Sequence, residues 1–185
     1  MQAYTLYRES ANGKMMRWFK KQPKKESSYD QMTLFLLRQA SEVLASTRQT
    51  LKEQLDTGEQ SKLPQIEHEL FYFLVFALEY WRQKHSSLAE EQDRTFGRIL
   101  GTHLKAMFGD DPDGQAMWDA LLERLVAYGQ IVNEKQGDSA KFLGFGMKLS
   151  EYCEIANPVL LLLAPDLFTK ALELVSRLKI DEAGS

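Results

Sequence analysis

Residues 70–78 read Leu-Phe-Tyr-Phe-Leu-Val-Phe-Ala-Leu, nine positions with neither a charge nor a helix breaker. Around them Ile66, Leu70, Phe73, Leu74, Ala77 and Trp81 recur at helical spacing, and Phe71, Val75 and Leu78 form a second stripe. A strand over Phe71–Phe76 fits less well. Val75 is its one β-branched residue, and the apolar pattern runs on past strand length. The spacing predicts a helix over Pro64–His85, with Pro64 in the first turn, where a missing N–H costs nothing.

A helix apolar on every face must be enclosed by protein or by lipid. Leu70–Leu78 and the other long apolar run, Pro158–Pro165, both fall short of the ~18–20 residues that cross a bilayer. Enclosure by other helices is therefore the expectation, and the rest of the chain supplies them. A first long helix is predicted over Tyr29–Asp56, stopped by Asp56-Thr57-Gly58, with Met32, Phe35, Leu36, Gln39, Val43 and Thr47 along one face. A third covers Leu88–Phe108. Its Gly97 and Gly101 sit in a polar helix, where a Gly-x-x-x-Gly spacing predicts close approach of a neighbour.

Gly109-Asp110-Asp111-Pro112-Asp113-Gly114 is the clearest break in the chain. A fourth helix follows over Gln115–Gln136, with Trp118, Leu121, Leu122, Leu125, Tyr128 and Val132 inward. A fifth covers Ala140–Ala156 and carries Phe142, Leu143, Phe145, Met147, Leu149 and Tyr152. Asn157-Pro158 stops it. Pro158–Leu163 reads as a short apolar turn or helix, and Pro165-Asp166 opens a last helix over Asp166–Ile180. The fold expected is all-α: a single-domain antiparallel bundle of about five to seven helices over residues 28–181, with a flexible tail at 182–185.

Residues 1–27 differ in character. Residues 1–25 carry seven basic groups against Glu9, a balance of +6. The total is −3, which leaves −9 for residues 26–185. An acidic body argues against nucleic-acid binding by the bundle. In this arm Lys14, Arg17, Lys20 and Lys21 surround Met15, Met16, Trp18 and Phe19. Two local structures are open to it. One is a β-hairpin turned at Asn12-Gly13, and the other is a short cationic helix over Lys14–Lys21. Such a segment can dock on its own bundle, on a second subunit or on anionic lipid.

The chain's 185 residues, 44% hydrophobic and 26% charged, suit one ordinary globular domain. The single cysteine, Cys153, excludes an intramolecular disulfide and a thiolate zinc site. Met1–Ser10 holds Tyr4, Tyr7, Arg8 and Glu9 rather than a signal-peptide core, so a soluble cytoplasmic protein is expected.

Catalytic patterns are mostly missing. A di-metal bundle needs Glu-x-x-His, but Gln65, Arg82 and Leu100 stand three residues before His68, His85 and His103. His68-Glu69 starts like a zinc helix, yet Tyr72 occupies the place of the second histidine. The Asp110–Gly114 turn lacks the glutamate a calcium loop requires, since Ala120 takes its position. Glu79 reads as a helix-end acid able to pair with Arg82 or Lys84, His103 as a boundary histidine, and Cys153 as a small buried thiol. Neither a cofactor nor a metal is expected, and an enzymatic role is not favoured.

The leading expectation is a non-enzymatic module acting through protein contacts, with a protein partner or a second copy of the chain. One alternative is a carrier or sensor of an apolar small molecule, in a pocket lined by Phe73, Phe76, Tyr80, Glu79 and His103. The other is peripheral membrane attachment through Lys14, Arg17, Trp18, Phe19, Lys20 and Lys21.

Overall fold

The computed structural model describes residues 28–85 and 90–177, which form an all-α helical bundle. Helix α1 spans Ser28–Gln54, α2 Leu63–His85, α3 Glu90–Phe108, α4 Pro112–Glu134, α5 Asp138–Cys153 and α6 Pro158–Ser176. A 3-10 turn, Glu59–Lys62, leads into α2. No helix among the described residues is long and apolar enough to cross a membrane. The arm at 1–27, with its hairpin-or-helix alternative and its basic and aromatic residues, lies outside the described residues, as does the tail.

The described residues group into two compact units, one holding 28–38 and 90–122, the other 39–85 and 123–177. In the first unit, Phe96, Leu100, Leu104, Met107 and Phe108 make the buried stripe of α3. Tyr29 meets Phe96 edge to face at 6.3 Å. His103 Nε2 lies 2.9 Å from Asp30 Oδ1, which ties α3 to the first turn of α1. The break between α3 and α4 follows from its residues. Gly109 takes a left-handed φ of 96° that ends α3. Asp111 Oδ1 then accepts from the Gly114 N–H at 2.8 Å, and Pro112 opens α4. A Cβ at Gly114 would collide with the carbonyl oxygen of Gly109, so the turn needs a glycine there.

The second unit is built around α2. Every residue from Leu70 to Leu78 is buried. Helix α5 runs antiparallel to α2: Gln65 Nε2 donates to the Tyr152 carbonyl at 2.9 Å, and further along α2 Phe73 meets Phe145 at 5.3 Å. The α5–α6 connection is a tight reversal, so α6 runs beside α2 in the same direction. At that reversal Glu154 adopts a left-handed conformation (φ 54°, ψ 37°), and Lys62 Nζ reaches its carbonyl at 2.8 Å. Asn157 caps α6 by accepting from the Val159 N–H at 3.0 Å, ahead of Pro158 at the first position.

Several expectations change. The last two apolar segments are one helix, and Pro165 lies inside it. The bond that Pro165 forfeits is the one to the Leu161 carbonyl, and the helix continues through it to Ser176. Helix α4 begins at Pro112 rather than Gln115, because Asp111 supplies the cap; α5 ends at Cys153 rather than Ala156, because Glu154 turns left-handed. Phe35 and Leu122, expected on buried faces, are exposed, and so are Leu143 and Met147.

The close-approach glycines are also not those of the Gly-x-x-x-Gly spacing. A Cβ at Gly97 would meet nothing within 4 Å, and one at Gly101 would make only an ordinary 3.6 Å contact with Trp118. Gly144 and Gly146 are the tight ones. Their Cβ atoms would stand 2.9 Å from Ile131 Cγ2 on α4 and 2.7 Å from Leu161 Cα on α6. These two glycines let α5 sit against both neighbours.

Gly146→Ala and Gly97→Ala therefore have opposite signs. At Gly146 the added methyl meets backbone that has no free end to swing away. Overpacking of about 1–3 kcal/mol outweighs the ~1 kcal/mol gain in helix propensity. At Gly97 the methyl finds open space, so the variant gains about 0.4–1 kcal/mol. Urea unfolding of both variants checks the pair. Equal shifts of the same sign would show that the two glycines do the same job.

Candidate functional site

Three groups of residues in the second unit carry the chemistry of this chain. The first is aromatic. Phe73 lies at the centre, 5.0 Å from Tyr128, 5.3 Å from Phe145, 6.2 Å from Phe76 and 6.5 Å from Phe168, ring centre to ring centre. Tyr80 and Trp81 continue the set along α2, at 5.4 and 5.0 Å from Phe168. The Trp81 indole N–H donates to the Phe168 carbonyl at 2.9 Å. Offset and edge-on pairs of this kind add about 0.5–1.5 kcal/mol each beyond their buried area.

The second group is polar and sits beside the first. Glu69 is buried one residue before the apolar run. Arg124 Nε and Nη2 donate to its two carboxylate oxygens, each at 3.0 Å. The same guanidinium lies 3.7 Å over the Tyr152 ring, and its Nη1 reaches Glu123 at 2.9 Å. Burial by itself would lower the Arg124 pKa, but the hydrogen bonds and charge of Glu69, with Glu123 beside them, raise it on balance. Arg124 thus stays a cation and holds Glu69 in a dry environment. Burial pushes the Tyr128 phenol well above its ordinary range, and the Glu69 charge adds to this. Burial likewise pushes the Cys153 thiol up to about 12, so it remains protonated and unreactive.

The third group is on the outside. Leu143 and Met147, one turn apart on α5, are 55% and 61% exposed. Across the Gly146 contact, Leu161 and Leu162 on α6 are 37% and 73% exposed. On the far side of α6 from α5 runs a groove of about 450 Å³. Ser46, Thr47, Thr50 and Gln54 of α1 form one wall; Val159, Leu162, Leu163, Asp166 and Lys170 of α6 form the other. The charges around this outer face are paired locally: Asp138 with Lys141 at 3.8 Å, Glu151 with Lys148 at 2.9 Å and Asp166 with Lys170 at 2.7 Å.

The residues singled out from sequence take different places. Phe73, Phe76 and Tyr80 share the aromatic cluster. Glu79 binds Arg82 through both oxygens, at 2.8 and 2.6 Å, and takes a third bond from Gln83 at 3.0 Å. It thereby supplies the countercharge of a buried guanidinium. His103 belongs to the first unit, with Asp30. Lys14, Arg17, Trp18, Phe19, Lys20 and Lys21 lie outside the described residues. Sequence reasoning missed the Glu69–Arg124–Tyr152 arrangement, whose members are far apart in the chain. It also missed the outer face, although Leu160–Leu163 carried a signal. Four consecutive leucines sweep about 300° of a helix, so some of them must point outward.

The buried pair predicts an asymmetry. Arg124→Ala strands the Glu69 carboxylate in the core and costs about 3–5 kcal/mol. Glu69→Ala leaves Arg124 with Glu123 and an open side, so it costs clearly less. Denaturant unfolding of the two variants tests the ordering, and equal or reversed losses would refute it. Comparison with family models, with curated proteins and with solved structures found no match.

Proposed function

We propose that this chain is a non-enzymatic helical module that works through protein contacts, using the outer face of the α5–α6 hairpin. The observation that carries the reading is the cluster of Leu143, Met147, Leu161 and Leu162, all well exposed on two adjoining helices. Single exposed leucines are ordinary, but a contiguous set framed by polar residues marks a surface that is covered in use. Met and Leu suit such a role, and Met in particular adapts its shape to a partner.

The state of the reactive groups supports the same reading. Glu79 and Glu69 each neutralise an arginine, and the Cys153 thiol is buried and protonated. None of the three is free to act as a base or a nucleophile. A reducing, cytoplasmic setting fits a chain with one buried thiol, and we place it there.

A photo-crosslinking residue in place of Met147, in cells that make the protein, tests the proposal. An adduct of discrete mass is expected at 147 and not at Lys52, an exposed position on α1 outside the groove. Adding Leu162→Lys should cut the yield at least tenfold. Equal, diffuse labelling at 147 and 52 would overturn the reading.

A further inference from the structure

We infer that the partner of this face is a second copy of the same chain, paired about a twofold axis that lies against the outer surface of α6, beside Leu161 and Leu162. The inference rests on the protein-contact reading above and names its partner. Three features carry it: the order of shapes across the face, its charge and its size.

The shapes come first. Leu143 and Met147 stand as a ridge on α5, on one side of Leu161. The groove between α6 and α1 lies on the other side. A surface that reads ridge, axis, groove is complementary to itself, because a half-turn about the middle lays each ridge over the other copy's groove. Isologous pairing requires this property and a partner of unrelated shape does not. The groove offers what a ridge of Leu and Met needs. Val159, Leu162 and Leu163 give an apolar wall, and the Thr47 and Thr50 side chains line the opposite one. The Thr47 hydroxyl already donates to the Val43 carbonyl at 2.9 Å, so covering it orphans no donor.

Charge separates a second copy from other occupants. Outside residues 1–25 the chain carries −9, so two copies meeting at random repel. The rim of this face is different. Of the four acids on its two helices, Asp138, Glu151 and Asp166 are matched by Lys141, Lys148 and Lys170 within the same helices, which leaves Glu173. A strongly acidic or basic partner would find no opposite field here. A copy of the chain brings the same nearly neutral rim and meets little like-charge penalty.

Size sets the expected strength. Helices of 16 and 19 residues are about 24 and 28 Å long. With a face about 20 Å wide, each copy covers on the order of 500 Å², or roughly 1,000 Å² for the pair. That is the lower end of specific interfaces and implies a dissociation constant in the micromolar range.

Sedimentation of the full chain from 1 to 300 µM tests the inference. The average mass should climb from 21.3 kDa towards twice that value, and 1 M NaCl should not weaken the association. Met147→Lys on the ridge and Thr50→Arg on the groove wall should each hold the protein at the monomer mass while its helical circular dichroism is unchanged. Geometry is tested separately by mixing a Met147→Cys variant with a Thr50→Cys variant under mild oxidation. Disulfide-linked heterodimers should form faster than the Met147→Cys variant links to itself.

A constant monomer mass up to 300 µM overturns the inference, as does faster self-linking of the Met147→Cys variant. A monomer that still gives a discrete adduct at 147 with a different protein removes the second copy and leaves the protein-contact reading standing. A monomer with only diffuse labelling removes both.

Discussion

Enclosure of α2 is the constraint on which the second unit depends. Nine successive residues, Leu70 to Leu78, are buried, so apolar surface points outward all around this helix and each sector needs a neighbour. Phe73 alone touches rings from α4, α5 and α6. Removing such a ring from a closed core costs about 3–5 kcal/mol, a large share of a domain's total stability. The other helices are placed by what they contribute to this enclosure. Helix α5 must come close, and Gly144 and Gly146 permit it.

The ends of α2 solve a different problem. A helix wrapped by protein must still return its polar residues to water or pair them. Glu69 sits just inside the buried zone and is met by Arg124, while Arg82 at the opposite end is met by Glu79. Each pair places a charge-assisted, two-pronged hydrogen bond at the border of the aromatic cluster. The first pair limits how α2 can slide along its axis, because a shift by one turn would carry Glu69 away from Arg124, whereas Glu79 and Arg82 both belong to α2 and move together. The interior is therefore specified by rings and its borders by ions. The exposed Leu143, Met147, Leu161 and Leu162 fall outside both sets, on the outer face of the hairpin.

Much of this was legible in the residues. The α2 segment announced both its helical period and its burial, and Gly109–Gly114 announced the break between α3 and α4. Glu79 and Arg82 were readable as a pair because three residues of helix bring them together. What escaped depended on distance in the chain or on direction. Glu69 and Arg124 are 55 positions apart, and nothing local joins them. Leu143 and Met147 have the right spacing for a buried stripe, but periodicity reports which residues share a face and not whether that face is covered. Pro165 carried the signature of a helix start, yet the packing of the apolar residues on either side of it carries one helix through the proline. Gly97 and Gly101 had the spacing of a close contact but no neighbour near enough to use it, whereas the uneven Gly144-x-Gly146 lies between two helices.

Native-state hydrogen exchange tests the central claim most directly. If α2 is the enclosed element around which this unit is built, the amides of Leu70–Leu78 open only when the whole unit unfolds. Their exchange free energies should then equal the unfolding free energy measured by denaturant, and should rise and fall with it in variants such as Gly146→Ala. Exchange of these amides through a smaller, local opening, while α5 and α6 remain protected, would contradict the account.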